Sequence, residues 1–281
     1  MTEKEWLKKL ETLKTDEVIE KKDKCITAVE EKLLNAIKKN LPNEKFGILF
    51  SGGIDSTLLA MIAKKENKNF ICYTVGMKNA TDVQGAEEAA MILGFKHKVR
   101  ILNDEEAEKI IHKMIKTLNE PDVMKVGVGA VVYAGLEIAK MDGITKVLGG
   151  LGSEEIFAGY ERHLESDDIN KECWKGLETM WQRDISRDKK IADLFGIKLI
   201  TPFLDADLIK TAMKVPGKYK IDMNHKKLIL REIAYGLGMP KEFAFRKKTA
   251  AQYGSNFDKA IMRIAKKKGF HLKKDYLNSF F

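Results

Sequence analysis

Cysteine is scarce in this sequence, and the three that occur are scattered. Cys25, Cys72 and Cys173 form no C-x-x-C pair within 281 residues. That excludes a cysteine-only zinc site and a disulfide scaffold, which needs a denser framework. The histidines, His97, His112, His163, His225 and His271, show no metal-ligand spacing either. Long apolar runs are missing too: none approaches the roughly 20 residues that span a bilayer. The opening MTEKEWLKKL lacks the apolar centre of a signal peptide. No internal repeat and no low-complexity linker interrupts the chain. The expectation is a cytoplasmic protein with no membrane segment, built as one compact unit.

What is present points to a folded domain with uneven charge. Apolar residues make up 44%, which argues against disordered and fibrous classes. A chain of this length suits one large domain or two small ones. It can bury about three quarters of its unfolded surface. Lys and Arg number 50 against 41 Asp and Glu, a net of +9. Residues 241–281 hold eleven basic and three acidic residues, or +8. Residues 1–40 contribute +1, and the middle of the chain is neutral. Such a basic end suits nucleic acid, an acidic ligand or a solvated face.

Periodicity divides the chain into elements. Residues 1–40 are free of Gly and Pro, with Val18, Ile19, Ile26, Val29, Leu33, Leu34 and Ile37 near helical spacing, so they read as helix. Buried parallel strands are expected at FGILF (46–50), NFICYTVG (69–76), HKVRIL (97–102) and KVLGG (146–150). Cys72 falls inside the second of these and reads as a small buried hydrophobe. Helices are expected over 55–65, 87–94, 104–118, 129–141 and from Ser153 onward. Strand–helix alternation over 46–160 predicts an α/β fold with a doubly wound parallel sheet. Beyond 161 strand signals are sparse apart from GIKLI at 196–200, so that part should be mainly helical. The expected organisation is an N-terminal helical segment (1–45), an α/β nucleotide-binding core (46–160) and a helical part (161–281) packed on it.

The sharpest local feature is Ser51-Gly52-Gly53-Ile54-Asp55-Ser56, set between a strand and a helix. Glycines let the backbone approach an anion and adopt positive φ. The helix start offers unpaired N–H groups and a positive dipole end. Ser51 and Ser56 add hydroxyls. Asp55 would repel a bare phosphate, so its presence points to an intervening Mg²⁺. The loop lacks the G-x-x-x-x-G-K-[ST] pattern of a Walker A motif. The plainer reading is a tight turn with an Asp/Ser cap.

S-G-G-x-D-S resembles the pyrophosphate-binding loop of the ATP-pyrophosphatase (PP-loop) superfamily. Further segments narrow the resemblance to the synthetase domain of the asparagine synthetase family. Val75-Gly76, Asp82, Ala86, Leu93-Gly94 and His97 resemble its second-strand region. Gly149-Gly150-Leu151-Gly152-Ser153-Glu154-Glu155-Ile156-Phe157-Ala158-Gly159-Tyr160 resembles its G-E-G-S-D-E-x-F-G-G-Y loop. Gly196 to Pro202-Phe203-Leu204-Asp205, Leu230-Arg231, Arg246-Lys247-Lys248 and Gln252-Tyr253-Gly254 continue the series. The likeness covers about 30–275, in order.

The resemblance implies a Rossmann-like PP-loop fold and an enzyme that cleaves ATP between the α and β phosphates. It adenylates a carboxylate or amide oxygen of a small-molecule acceptor and releases pyrophosphate. Ser51, Gly52, Gly53, Asp55 and Ser56, with Gly150, would hold the phosphates, and Val75 and Gly76 would bracket the adenine. Asp55 and Glu154 map to the Mg²⁺ ligands. Glu154 replaces an Asp, and a first-turn dipole partner is its other reading. Lys248 maps to a lysine that neutralises the leaving pyrophosphate, with Arg246 either assisting or solvated. Arg187-Asp188 reads as a structural ion pair, and Asp205 as a helix cap.

Three departures bear on the acceptor. Position 2 is Thr where the full family has a catalytic Cys, and about 45 residues precede the loop, so no glutaminase is expected in this chain. The nitrogen source is then free ammonia or a partner glutaminase. Leu151 stands where the family has a catalytic Glu, and leucine moves no proton. Val126-Gly127-Val128-Gly129-Ala130 lacks the Arg that holds aspartate in that family. The sequence therefore reads as an ATP-dependent, AMP-forming amidoligase with a rebuilt acceptor site. A reading from another class is a PP-loop tRNA-modifying adenylase or sulfurtransferase, with the basic end on tRNA. It lacks support from any C-x-x-C or added RNA-binding module.

Overall fold

A computed structural model describes residues 1–247 and 250–281. Helices α1 (Glu3–Leu13) and α2 (Lys22–Asn40) precede the sheet. The core then runs β1 (Phe46–Leu49), α3 (Ile54–Lys65), β2 (Phe70–Met77), α4 (Thr81–Leu93), β3 (His97–Leu102), α5 (Asp104–Leu118), α6 (Val123–Met141) and β4 (Lys146–Leu148). A short α7 (Ser153–Ile156), α8 (Ile169–Met180), a π turn (Trp181–Ile185) and α9 (Ser186–Phe195) lead to β5 (Lys198–Ile200). Helices α10 (Ala206–Met213), α11 (Gly217–Lys220), α12 (Leu228–Gly236), α13 (Lys241–Ala244), α14 (Ala251–Gly254), α15 (Phe257–Lys267) and α16 (Lys273–Asn278) follow.

The five strands form one parallel sheet in the order β3-β2-β1-β4-β5. Side-chain alternation explains why both faces are covered. Phe46, Ile48, Phe70 and Cys72 point into one apolar layer with α2, α3, α8, α10 and α12. Tyr73, Val75, Met77 and Val147 point into the other, against α5, α6, α9 and α15. Each large side chain buried there stabilises the fold by roughly 1.5–3 kcal/mol. The α/β doubly wound sheet and the mainly helical end match the expectation, and Cys72 is buried.

Four elements differ from the periodicity reading; one is α4, which starts at Thr81, six residues before the expected start at 87. Residues 1–40 form two helices, not one. The break over 14–21 has no Gly or Pro; instead the Ile19 N–H donates to Lys214 O at 2.9 Å, and the Cys25 thiol donates to Ile19 O. A tertiary partner outweighs local propensity there. Helix α6 starts six residues earlier than expected, because Asp122 caps it by accepting from the Lys125 N–H at 2.8 Å. The helix expected from Ser153 onward is one turn long, ended by Ala158 at φ 57°.

Strand order creates the crevice that matters. Chain direction reverses sides between β1 and β4, and ligands of open α/β sheets bind outside the strand ends at such a switch point. The loops leaving β1 (51–53) and β4 (149–152) flank it.

Candidate active site

The first loop is shaped by what it cannot contain. Gly52 adopts φ +66°, and a Cβ there would sit 2.4 Å from Gly85 O of α4. Ser51 and Ser56 close the turn: the Ser51 N–H donates to Ser56 Oγ at 3.2 Å, and Ser56 Oγ donates to Gly53 O at 3.2 Å. No side chain caps α3 at Gly53. Its first-turn N–H groups therefore face the crevice with the dipole's positive end, a setting for an anion.

The second loop presses on the first. A Cβ on Gly150 would lie 2.9 Å from Asp55 Cβ, and one on Gly152, at φ +103°, would lie 2.4 Å from Leu204 Cδ2. This contact sets Ser153 and Glu154, at the start of α7, opposite Asp55 at the start of α3. The two carboxylates proposed from sequence for the metal thus meet across the crevice. Among the described residues no group of three or more His, Cys, Asp or Glu assembles as a metal cage. Two carboxylates suit a cation that shares its coordination with phosphates and water.

A lysine joins them. Lys227 Nζ donates to Asp55 Oδ1 and Oδ2 at 2.9 and 2.8 Å, to Ser153 Oγ at 2.7 Å and to Glu154 Oε1 at 2.8 Å. It is buried, and burial opposes its charge. Asp55 and Glu154 outweigh that and hold its pKa above the ordinary lysine value. The ammonium stands in as a cation at the site where Mg²⁺ was expected, so the donor set fits a positive ion. Sequence reasoning missed Lys227. What sets it apart shows only in the structure: a lysine at the N-cap of α12 opposes the helix dipole. It is also a non-glycine at φ 57°, which an L residue adopts at a cost. Gly159 gives it room, since a Cβ there would lie 2.5 Å from Lys227 Cε.

Helix α12 also organises the segment towards Lys248. Arg231 donates to Lys226 O at 2.7 Å, Ala244 O at 2.7 Å and Arg246 O at 3.1 Å. Arg246 donates to Gly85 O at 2.9 Å and Glu88 at 2.6 Å. Its donors hold α4, at the residue Gly52 packs upon, so its geometry is that of a brace behind the loop. Lys248 lies outside the described residues. Val75 and Gly76 sit at the C-terminal end of β2, beside the crevice, where the Met77 N–H donates to Ser255 O at 2.9 Å.

Behind α7 lies a buried polar network. Tyr160 OH donates to Glu155 Oε1 at 2.7 Å, and Arg183 binds the same oxygen. Burial, reinforced by Glu154, pushes the Glu155 carboxyl up to about 7. Arg187 pairs with Asp188 at 2.7 Å and Asp184 at 2.9 Å, inside the fold as a structural tie. Asp205 accepts from the Asp207 and Leu208 N–H groups and caps α10.

On the acceptor side, Leu151 packs against the apolar layer. Gly127 faces the Gln252 side chain, whose buried Oε1 has no partner among the described residues. The basic end is partly neutralised. Arg246 pairs with Glu88, Arg263 and Lys267 with Asp104, Lys268 with Glu108 and Lys273 with Asp258.

With this geometry in place, residues 28–169 and 164–270 match the family model for asparagine synthase. The chain belongs to the asparagine synthase family. A protein of Methanocaldococcus jannaschii, provisionally named glutamine-hydrolyzing asparagine synthetase 1, is 33% identical over 88% of this chain and 52% of its own length. Asparagine synthetase B of Escherichia coli is 26% identical over 81% of this chain and 44% of its own. Asparagine synthetase 3 of Arabidopsis thaliana is 27% identical over 66% and 34%. The chain thus spans about half the length, or less, of these relatives. A solved structure from Methanocaldococcus jannaschii, a predicted subunit of tRNA methyltransferase, matches at 25% identity. It has a TM-score of 0.41 and covers 82% of this chain and 90% of that one. Among the described residues no helix is long and apolar enough to cross a membrane.

Proposed function

We propose that this family member is an ATP-dependent, AMP-forming carbon–nitrogen ligase. The observation that carries the reading is the convergence of Asp55, Ser153 and Glu154 on one buried cation at the switch point, beside an uncapped helix start. A carboxylate or amide oxygen of the acceptor attacks the α phosphorus, and the bond to the β-phosphate oxygen breaks. Ammonia or an amine then attacks the activated carbon and displaces AMP. The α3 N–H groups and the Ser51 and Ser56 hydroxyls bind the phosphates. Asp55 and Glu154 would hold Mg²⁺, which when bound neutralises phosphate charge. Lys227 is a mobile counter-charge: its ammonium leaves the carboxylates for the phosphate oxygens as ATP enters. Lys248 is assigned the leaving pyrophosphate, and the ends of β2 at Val75 and Gly76 the adenine.

The acceptor is proposed to differ from aspartate. Leu151 supplies no base, and a substrate carboxylate facing Gly127 loses a charged hydrogen bond worth roughly 1.5–3 kcal/mol. The proposed location is the cytoplasm, and the nitrogen source ammonia or a partner glutaminase. Action on tRNA has less support, because five basic side chains of residues 241–281 are already bound to carboxylates.

The test is pyrophosphate release from Mg-ATP and ammonium across a panel of carboxylates, amides and tRNA. Release with at least one acceptor, abolished in Asp55→Asn, supports the reading. Background release with every acceptor overturns it.

A further inference from the structure

A second concavity lies away from the phosphate loops, along the outer side of β5. It encloses about 660 Å³. Its lining includes Leu204, the side chain that packs against Gly152, and none of the residues 51–56 or 149–154.

Two independent features mark it. The first is backbone. β5 is the last strand of the sheet, and its bonds to β4 use alternate residues: the Lys198 N–H donates to Thr145 O, and Ile200 O accepts from the Gly149 N–H. In a parallel ladder the residue between them turns its N–H and C=O the other way. The Leu199 backbone therefore faces this concavity with no strand beside it. The second is charge. Lys9, Lys39, Lys146, Lys189 and Lys198 line it. Lys39 pairs with Asp205, Lys146 with Glu44 and Lys189 with the neighbouring Asp193, which leaves a net of +2 on Lys9 and Lys198. Lys198, on the strand itself, makes no ion pair among the described residues. Trp181 and Ile185 supply an apolar wall.

Lysines on an edge strand discourage self-pairing. A second copy of this chain would bring the same lysines opposite, and like charges directly across a pair are destabilising. The same lysines attract a strand of opposite charge. We infer that the β5 edge docks an extended acidic segment of a different protein. The segment adds to the sheet through the Leu199 N–H and C=O, lays alternate apolar side chains on Trp181 and Ile185, and sets its carboxylates among the lysines. Main-chain bonds give such a contact affinity, and the alternating side chains give selectivity. The inference is independent of the chemistry proposed for the crevice.

The probe is a labelled short peptide alternating glutamate and valine, with proline at each end against self-association, read by fluorescence anisotropy at low salt. Its control replaces glutamate by lysine. The acidic peptide should bind and the lysine peptide should not. Lys189→Glu with Lys198→Glu should weaken binding by about tenfold or more, since two attractive charges become repulsive. Amide exchange at Leu199 should slow when the acidic peptide is present. If thermal unfolding shows the double variant to be damaged, Lys198→Glu alone serves, having no partner to lose. Equal binding of both peptides, unchanged affinity in the charge-reversed protein, or an unprotected Leu199 amide would each overturn the inference. So would self-association of this chain through β5, abolished by the same reversal, which would assign the edge to a second copy.

Discussion

Lys227→Met is the perturbation that isolates the cation at the heart of the crevice. Methionine keeps most of the lysine's length and the same φ cost, so what changes is the charge. Removing one partner of a buried ion pair costs about 3–5 kcal/mol, because the other charge stays buried without compensation. Asp55 is nearly enclosed, with its side chain 10% exposed, but Glu154 is 32% exposed and partly hydrated. That discount lowers the expectation to about 2–4 kcal/mol. With an unfolding entropy of about 2 cal/mol/K per residue, a chain of 281 residues loses about 1.7 °C per kcal/mol. The variant should therefore melt about 3–7 °C lower by differential scanning calorimetry. A second scan with Mg²⁺ and no nucleotide separates charge from packing. With the ammonium gone from between Asp55 and Glu154, the metal should bind there and restore stability, by about 2.7 kcal/mol at a hundredfold excess over its Kd. In the unaltered protein, where the ammonium fills that position, Mg²⁺ alone should do little. A variant that melts like the parent refutes the reasoning, as does Mg²⁺ stabilising both proteins equally.

Other outcomes follow from single positions. Gly52→Ala should lose nucleotide binding by calorimetry and cost about 1–2 kcal/mol, since its φ is left-handed and its Cβ would meet Gly85 O. Glu155 is raised to about 7 in the fold from 4.5, so the folded state holds the proton more tightly. The contribution of this group to stability is then greatest below about pH 4.5, falls as pH rises to about 7, and levels off above. Glu155→Gln should flatten that window in denaturant titrations, by about 3 kcal/mol at most. Leu151→Glu should raise pyrophosphate release with aspartate and ammonium above the parent's level if the missing base limits that chemistry.

Much of this architecture is legible in the sequence wherever local chemistry and tertiary structure agree. The apolar run Phe46–Leu49 leads into Gly52-Gly53, and the loop proposed to hold phosphate sits where that junction puts it. Helix α5 starts and stops where its own residues say: Asn103 and Glu106 cap each other at the start, and Asn119 takes the left-handed position at the end. Other features depend on residues far away in the chain. The break between α1 and α2 rests on Lys214, nearly two hundred positions on. The start of α6 is obscured because Gly127 and Gly129 dilute its apolar stripe, yet they are what lets Gln252 and Ile191 approach.

The site shows the same division. Asp55 is proposed from its own loop and Glu154 from the family resemblance, and the contact of Gly150 with Asp55 brings them together. Lys227 was not found, because nothing adjacent to it in sequence resembles a phosphate loop. It reaches the crevice only through the packing of α12 against α3. The edge of β5 is equally invisible to periodicity, since three residues of strand become an edge only when β4 takes the other side.

The central claim is that ATP is cut between its α and β phosphates by an acceptor oxygen. The most direct measurement uses an acceptor carboxylate or amide labelled with ¹⁸O, with ammonium and Mg-ATP, and mass analysis of the nucleotide product. The account predicts AMP carrying one ¹⁸O, in equal amount with pyrophosphate. ADP and inorganic phosphate, or AMP without the label, would contradict it.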